Sequence, residues 1–123
     1  MIMAIPIGSS EAESVISDAR GRLQAYAGAI LSFVRLRKIF EVENFEGGDG
    51  RLAEIIELLS NRRVDVLNYV YFYVDDEYGL VRLGNDVVNH YLKFGELYHP
   101  ISNAVIDDPD VESRVIIEFE VVL

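Results

Sequence analysis

A chain of 123 residues, half of them hydrophobic, is long enough to bury the core of one domain without a disulfide or a structural metal. It contains no cysteine, which excludes disulfides, thiolate metal sites and cysteine nucleophiles. Its net charge of −10 argues against binding to nucleic acid or to an anionic membrane, and it favours a basic protein partner, although acidity also serves solubility alone.

The negative charge is unevenly distributed along the chain. Residues 1–40 carry three acids and five bases, net +2, whereas residues 41–123 carry eighteen acids and six bases, net −12. No apolar run reaches the roughly 20 residues of a membrane span, and Met1–Ile7 lacks the basic start of a signal peptide. We therefore expect one soluble domain, residues 1–123, located in the cytoplasm or within a virus-like particle.

The first predicted elements are a short strand or ordered arm at Ile2–Ile7 and a long helix over residues 10–36. Ser10 and Glu13 form a capping box, in which a hydroxyl and a carboxylate satisfy backbone N–H groups at the helix start. Gly28 and the alanines around it would let another element approach this helix closely. Apolar residues recur behind the capping box at the helical spacings of three and four: Ala12, Ile16, Ala19, Leu23, Ala27, Ile30 and Val34.

The next segment changes its pattern. Apolar residues alternate with glutamates, which predicts a strand over residues 38–45. Glu46–Gly50 is rich in glycine and breaks the strand, and Asp49 is expected to cap a second helix over residues 51–61. The predicted buried face of this helix consists of Leu52, Ile55, Ile56 and Leu59.

The clearest strand covers residues 64–74, because β-branched and aromatic residues fill it throughout. A turn at Asp75–Gly79 and a returning strand over residues 80–83 predict a hairpin. A third helix is expected over residues 86–97, and a final strand over residues 112–122. This order predicts an α+β fold, with a mostly antiparallel sheet covered on one face by helices.

Gly48, Gly50 and Ala53 match the letters of the dinucleotide-binding fingerprint and open a predicted helix. The fingerprint requires a strand that ends at the first glycine, so that the pyrophosphate meets the helix N-terminus. Here the preceding segment is acidic and would repel a phosphate. We interpret the motif as a flexible turn that leads into a capped helix, and we expect no cofactor.

Two groups of carboxylates fall in predicted turns, at Asp75–Glu77 and at Asp107–Glu112. Carboxylate oxygens can hold Ca²⁺ or Mg²⁺, and Asp108, Asp110 and Glu112 alternate as the first ligands of an EF-hand do. The glycine and the closing glutamate of that loop are missing. We interpret both groups as ordinary turn residues and expect no metal.

His90 and His99 are the only histidines. They could hold a metal if both rings converged with Glu96 or with an aspartate of the hairpin, but a spacing of nine residues does not require this. No serine lies in a G-x-S-x-G elbow. We expect no catalytic residue, although a ligand site beside either histidine stays open.

Six of the seven tyrosines fall between Tyr69 and Tyr98, and Tyr69, Tyr71 and Tyr73 alternate along one strand. Amphipathic rings suit an interface, and they equally suit a strand that helices cover. The opposite, aliphatic face has no hydroxyl that needs a partner and is therefore the better core. We predict that the three tyrosines point outward and form an interface.

The sequence thus predicts a non-catalytic interaction or assembly protein, which forms a homo-oligomer through the aromatic strand face or the long helix. The alternative is an acidic inhibitor, such as an immunity protein or a mimic of nucleic acid, that blocks a basic site on a partner. A small-ligand-binding domain or an enzyme is the third possibility.

Overall fold

A computed structural model describes residues 9–123, with side chains from residue 11 onward. The predicted α+β class with an antiparallel sheet is confirmed, while the strand or arm predicted at Ile2–Ile7 lies outside the described residues. The helices are α1 (Ser9–Leu23), α2 (Phe33–Ile39), α3 (Gly48–Leu59) and α4 (Asn85–Phe94). The strands are β1 (Ile30–Leu31), β2 (Leu67–Asp75), β3 (Gly79–Leu83) and β4 (Val115–Val121).

The strands form one sheet in the order β1-β4-β2-β3. Strand β1 pairs antiparallel with β4, and β2 pairs antiparallel with β3. The chain divides into two compact units, through both of which β2 and β4 run. The first unit extends to Tyr69 and includes Phe119–Leu123, and the second unit is Val70–Glu118.

The core of the first unit is built from the apolar stripes of its helices. Leu23 of α1 and Leu52 of α3 are fully buried there, and each buried leucine contributes about 1.5–3 kcal/mol to stability. The predicted stripe of α3 is confirmed, because all four of its residues are buried. The buried members of this core are Ala19, Leu23, Leu31, Leu36, Phe40, Leu52, Ile55, Ile56, Leu59, Val66, Leu67, Phe119 and Val121.

The prediction of one helix over residues 10–36 is wrong beyond Leu23, where α1 ends. Gly28 has a φ of +81°, in the left-handed region, which a continuous helix does not allow. The Gly28 N–H donates to the Val121 carbonyl, and the Val121 N–H donates to the Ala29 carbonyl. Pairing with a strand distant in sequence therefore overrides the helical spacing of the apolar residues.

The strand predicted over residues 38–45 does not form. The segment instead lies in the end of α2, which stops at Ile39, and in the turns that follow. The Ser32 side chain accepts a hydrogen bond from the Arg35 N–H and caps α2. Leu36 and Phe40 are both buried, four residues apart, so the helical spacing rather than the alternation describes the segment.

Glycines, rather than the predicted Asp49 cap, shape the entry to α3. Gly47 precedes the helix with a φ of +74°, and Asp49 lies in the first turn. A Cβ on Gly48 would collide with the carbonyl oxygen of Val42, so the chain can make this close approach only with glycine.

The second unit packs α4 and the loop after it against the hairpin of β2 and β3. The hairpin and its turn were predicted, and the strands pair from Tyr71 with Leu83 to Asp75 with Gly79. Helix α4 ends at Phe94 and is capped by Gly95, which is left-handed and whose N–H donates to the Tyr91 carbonyl. The buried core consists of Tyr73, Leu83, Val88 and Leu97. The last predicted strand forms, preceded by a 3₁₀ turn at 111–114.

Candidate functional site

The three tyrosines of the predicted interface differ in their surroundings. Tyr73 is only 6% exposed and belongs to the core of the second unit, against which the half-buried Tyr71 packs. Tyr69 is 45% exposed, and its ring lies 5.5 Å from that of Phe119 in the first unit. The expectation that the row points outward is therefore wrong at Tyr73, since α4 packs on that side of the strand. A role of Tyr69, Tyr71 and Tyr73 in an interface stays a prediction.

The opposite side of the strands in the second unit is an apolar surface. Val74 pairs directly with Leu80 across β2 and β3, so their side chains share a face, and Phe72 lies on it by alternation. Val115 packs against the core of the second unit, which places the next residue, Ile116, on the opposite side. We call Phe72, Val74, Leu80 and Ile116 the open face.

The side chains of the open face retain contact with solvent. Leu80 is 53% exposed and Ile116 is 38% exposed, while Phe72 and Val74 are intermediate. Within residues 9–123, neither core cluster includes any of these four residues. The sequence predicts that this aliphatic side is core. That prediction agrees with the burial of Val70, which is 3% exposed, but not with the exposure of Leu80, because the helix of this unit lies on the tyrosine side.

Strong negative charge accompanies the open face. The second unit has ten acidic and three basic residues, a net charge of −7, and the first unit accounts for the remaining −3. Asp76 and Glu77 are exposed in the turn that joins β2 and β3, and Glu118 shares the side of β4 on which Ile116 lies. The exposed Arg82 pairs directly with Phe72 and therefore lies on the same side. The apolar side chains are thus bordered by one arginine as well as by carboxylates.

His99 and Asp75 form a largely buried pair beside the same turn. The His99 Nε2 lies 2.6 Å from an Asp75 carboxylate oxygen, and both side chains are less than one-sixth exposed. The His99 Nδ1 accepts hydrogen bonds from the backbone N–H groups of Ile101 and Ser102. Because Nδ1 accepts, Nε2 carries the proton and donates a hydrogen bond to the Asp75 carboxylate. With both ring nitrogens hydrogen-bonded, the pair ties a loop to the hairpin.

The pKa of Asp75 is lowered from 3.8 to about 2. The backbone N–H of Tyr78 is the largest cause, followed by the His99 side chain and the backbone N–H of Glu77. Each of these donors stabilises the charged carboxylate. Asp75 is therefore a charged carboxylate that holds the hairpin turn together.

The second histidine lies in different surroundings. The His90 ring stacks near two aromatic rings, 4.8 Å from Phe94 and 5.0 Å from Tyr98, and its Nε2 lies 3.4 Å from a Glu96 oxygen. The structure thus joins the two histidines to different carboxylates. In the part of the chain that the structure describes, no three histidine or carboxylate side chains are grouped as metal ligands.

The other carboxylates of the predicted turns mainly hold the backbone together. Arg114 pairs with Asp76 at 2.9 Å and with Asp108 at 3.0 Å, and it also donates to the Val74 carbonyl. The second oxygen of Asp108 accepts from the Asp110 N–H. These contacts connect the loop before β4 to the hairpin, and they raise the pKa of Arg114 above its usual value, mainly through Asp76.

Arg22, one of the basic residues early in the chain, is also engaged. Arg22 pairs with Asp18 at 2.8 Å and with Glu41 at 3.2 Å, and it donates to the Ile39 carbonyl. Its pKa is raised, mainly by the hydrogen bond to Asp18. Arg22 therefore joins α1 to the end of α2 and to the turn that follows it.

The glycines of the dinucleotide-like motif lie in the first turn of α3. A turn, not a strand, precedes them, so the strand–turn–helix context of the fingerprint is missing.

No helix within residues 9–123 has the length and apolar character that crossing a membrane requires. Comparisons with protein families, with curated proteins and with solved structures find no match to this chain.

Proposed function

We propose that the chain is a non-catalytic protein-binding domain, whose second unit binds a basic protein partner through the open face. The open face itself is the observation that carries this proposal. It brings Phe72, Val74, Leu80 and Ile116 to one side of the strands, where Leu80 and Ile116 remain exposed. Contiguous apolar side chains at a polar rim are typical of protein interaction sites.

Charge selects the class of partner. A net charge of −7 in the second unit attracts a basic surface and raises its rate of association. The exposed Glu77 supplies negative charge at the rim, where it steers a partner without being desolvated, whereas Arg114 offsets part of the charge of Asp76. Apolar residues would then provide most of the affinity, and the carboxylates most of the selectivity.

Self-association is the second candidate, and one observation favours it. Strand β3 is an edge of the sheet, so its outer backbone groups can pair with a strand of a second copy. Repulsion between two units of net charge −7 opposes this arrangement at low salt. We therefore rank a basic partner above a homo-oligomer.

The test compares two double variants that each remove exposed apolar side chains. Leu80→Ser with Ile116→Ser alters the open face, while Val34→Ser with Phe45→Ser alters similarly exposed residues of the first unit. Each protein is immobilised and exposed to host lysate at about 50 mM and about 300 mM salt, since salt screens charge pairing. Bound proteins are quantified by mass spectrometry.

We expect basic proteins to bind to the wild type and to the first-unit variant, to be lost from the open-face variant, and to dissociate as salt rises. Sedimentation velocity of the purified chain completes the test. If the wild type forms an oligomer that the open-face variant does not form, the partner at the open face is a second copy of the chain rather than a basic protein. Capture that is equal for both variants, or no captured protein that depends on Leu80 and Ile116, would refute the proposal.

A further inference from the structure

A surface depression lies on the helix side of the second unit, away from the open face. It has a volume of about 270 Å³ and is lined by Tyr91, Leu92 and Gly95 from the end of α4, and by Val111 and Glu112. Sites for drug-sized ligands usually exceed about 300 Å³. A depression of this size suits a single long side chain better than a cofactor.

The lining combines one carboxylate with an aromatic ring and two aliphatic side chains. Tyr91 is half-buried, and its pKa is raised first by that burial and then by the charge of Glu112. Tyr91 and Glu112 both line the depression, so the carboxylate and the phenol face the same space. Glu112 is exposed, and within the described residues no side chain forms an ion pair with it.

The chemistry of this lining favours a cation on a long apolar stem. Leu92 and Val111 can contact methylene groups, while Glu112 supplies a single negative charge at the rim. A guanidinium is planar, stacks on an aromatic face and pairs with a carboxylate through two parallel hydrogen bonds. An ammonium group matches the carboxylate but makes less use of the Tyr91 ring.

We propose that this depression binds an arginine side chain, with the guanidinium between Glu112 and the Tyr91 ring and the stem against Leu92 and Val111. The biological source of that arginine rests on the proposed basic partner. The chemistry of the depression does not, because a free arginine derivative can test it in the absence of any partner and without the open face.

The test is a titration of the ¹⁵N-labelled protein with N-acetyl-arginine amide, followed by two-dimensional NMR. We expect the backbone signals of Gly95 and Val111 to shift in a saturable manner. N-acetyl-citrulline amide has the same shape without the charge, and we expect it to bind at least about fivefold more weakly. N-acetyl-lysine amide serves as the cation without a planar head, and we expect it to bind more weakly than the arginine derivative.

Two variants of equal net charge separate a site from general attraction to an acidic protein. Glu112→Gln should weaken arginine binding at least about fivefold, whereas Glu13→Gln, at an exposed position of α1, should leave it unchanged. Equal binding of citrulline or of lysine would overturn the assignment to arginine. Shifts distributed away from Gly95 and Val111, or equal losses in the two variants, would overturn the site. None of these results depends on Leu80 or Ile116, so the arginine site and the proposed function of the open face are tested independently of each other.

Discussion

Truncating Tyr73 should destabilise the protein more than truncating Tyr69, although strand alternation makes the two residues equivalent. Tyr73 is 6% exposed and Tyr69 is 45% exposed. Replacing a tyrosine by alanine removes on the order of 150 Å² of side-chain surface, and each buried Å² contributes about 25 cal/mol. The buried fractions then give losses of roughly 3.5 kcal/mol for Tyr73→Ala and roughly 2 kcal/mol for Tyr69→Ala.

Urea unfolding followed by circular dichroism measures both losses, provided that the dependence on denaturant stays equal among the variants. Tyr73→Phe is the control, because it keeps the ring and removes only the hydroxyl. We expect this change to cost less than about 1 kcal/mol. A loss for Tyr69→Ala that equals or exceeds that for Tyr73→Ala would mean that the row points outward after all, and that the assignment of the open face is wrong.

Further predictions concern the first unit, the hairpin turn and metal ions. Leu23→Ala should cost about 2–5 kcal/mol in chemical unfolding, because the side chain is fully buried; an unchanged curve would contradict its place in the core. Gly48→Ala should cost about 1–3 kcal/mol, since its Cβ would meet the Val42 carbonyl, whereas Gly50→Ala, with open space around it, should stabilise by about 0.5–1 kcal/mol. The lowered pKa of Asp75 means that its charge stabilises the fold above pH 3.8, and that this contribution is lost as pH falls toward about 2. Unfolding midpoints across that pH range should show this dependence in the wild type but less of it in Asp75→Asn. Adding Ca²⁺, Mg²⁺ or Zn²⁺ should leave the melting temperature unchanged, because a metal that binds the native state would raise it.

Local sequence patterns predicted the elements whose partners are close in sequence. The stripe of α3 and the hairpin of β2 and β3 both form as expected, because spacing and turn residues determine them. Ser32 also carried a usable signal, since a serine before an apolar helical stretch is a common cap. The helix predicted over residues 10–36 runs through Ser32 instead of beginning after it.

The remaining errors arise where a distant segment decides the local structure. The residues after Leu23 keep a helical spacing, yet hydrogen bonds between Gly28 and Val121 place them beside β4. The sequence of β2 is apolar on both sides, so alternation identifies two faces without showing which one the helix covers. Only the packing of α4 against Tyr73 and Leu83 distinguishes them. The open face was therefore missed because the tyrosine side was assigned to solvent.

The connection between α4 and β4 is long, but it is fastened at several points. Tyr98 and Val105 form an isolated β-bridge, and the Ile106 N–H donates a hydrogen bond to the Leu97 carbonyl. The His99 ring accepts hydrogen bonds from two backbone N–H groups of the same loop. Ordering a mobile loop at an interface costs free energy each time a complex forms. This loop is already ordered in the folded chain, so binding does not have to order it. Association with this part of the second unit should therefore proceed in a single kinetic step, with a rate that follows ionic strength rather than the closing of a loop.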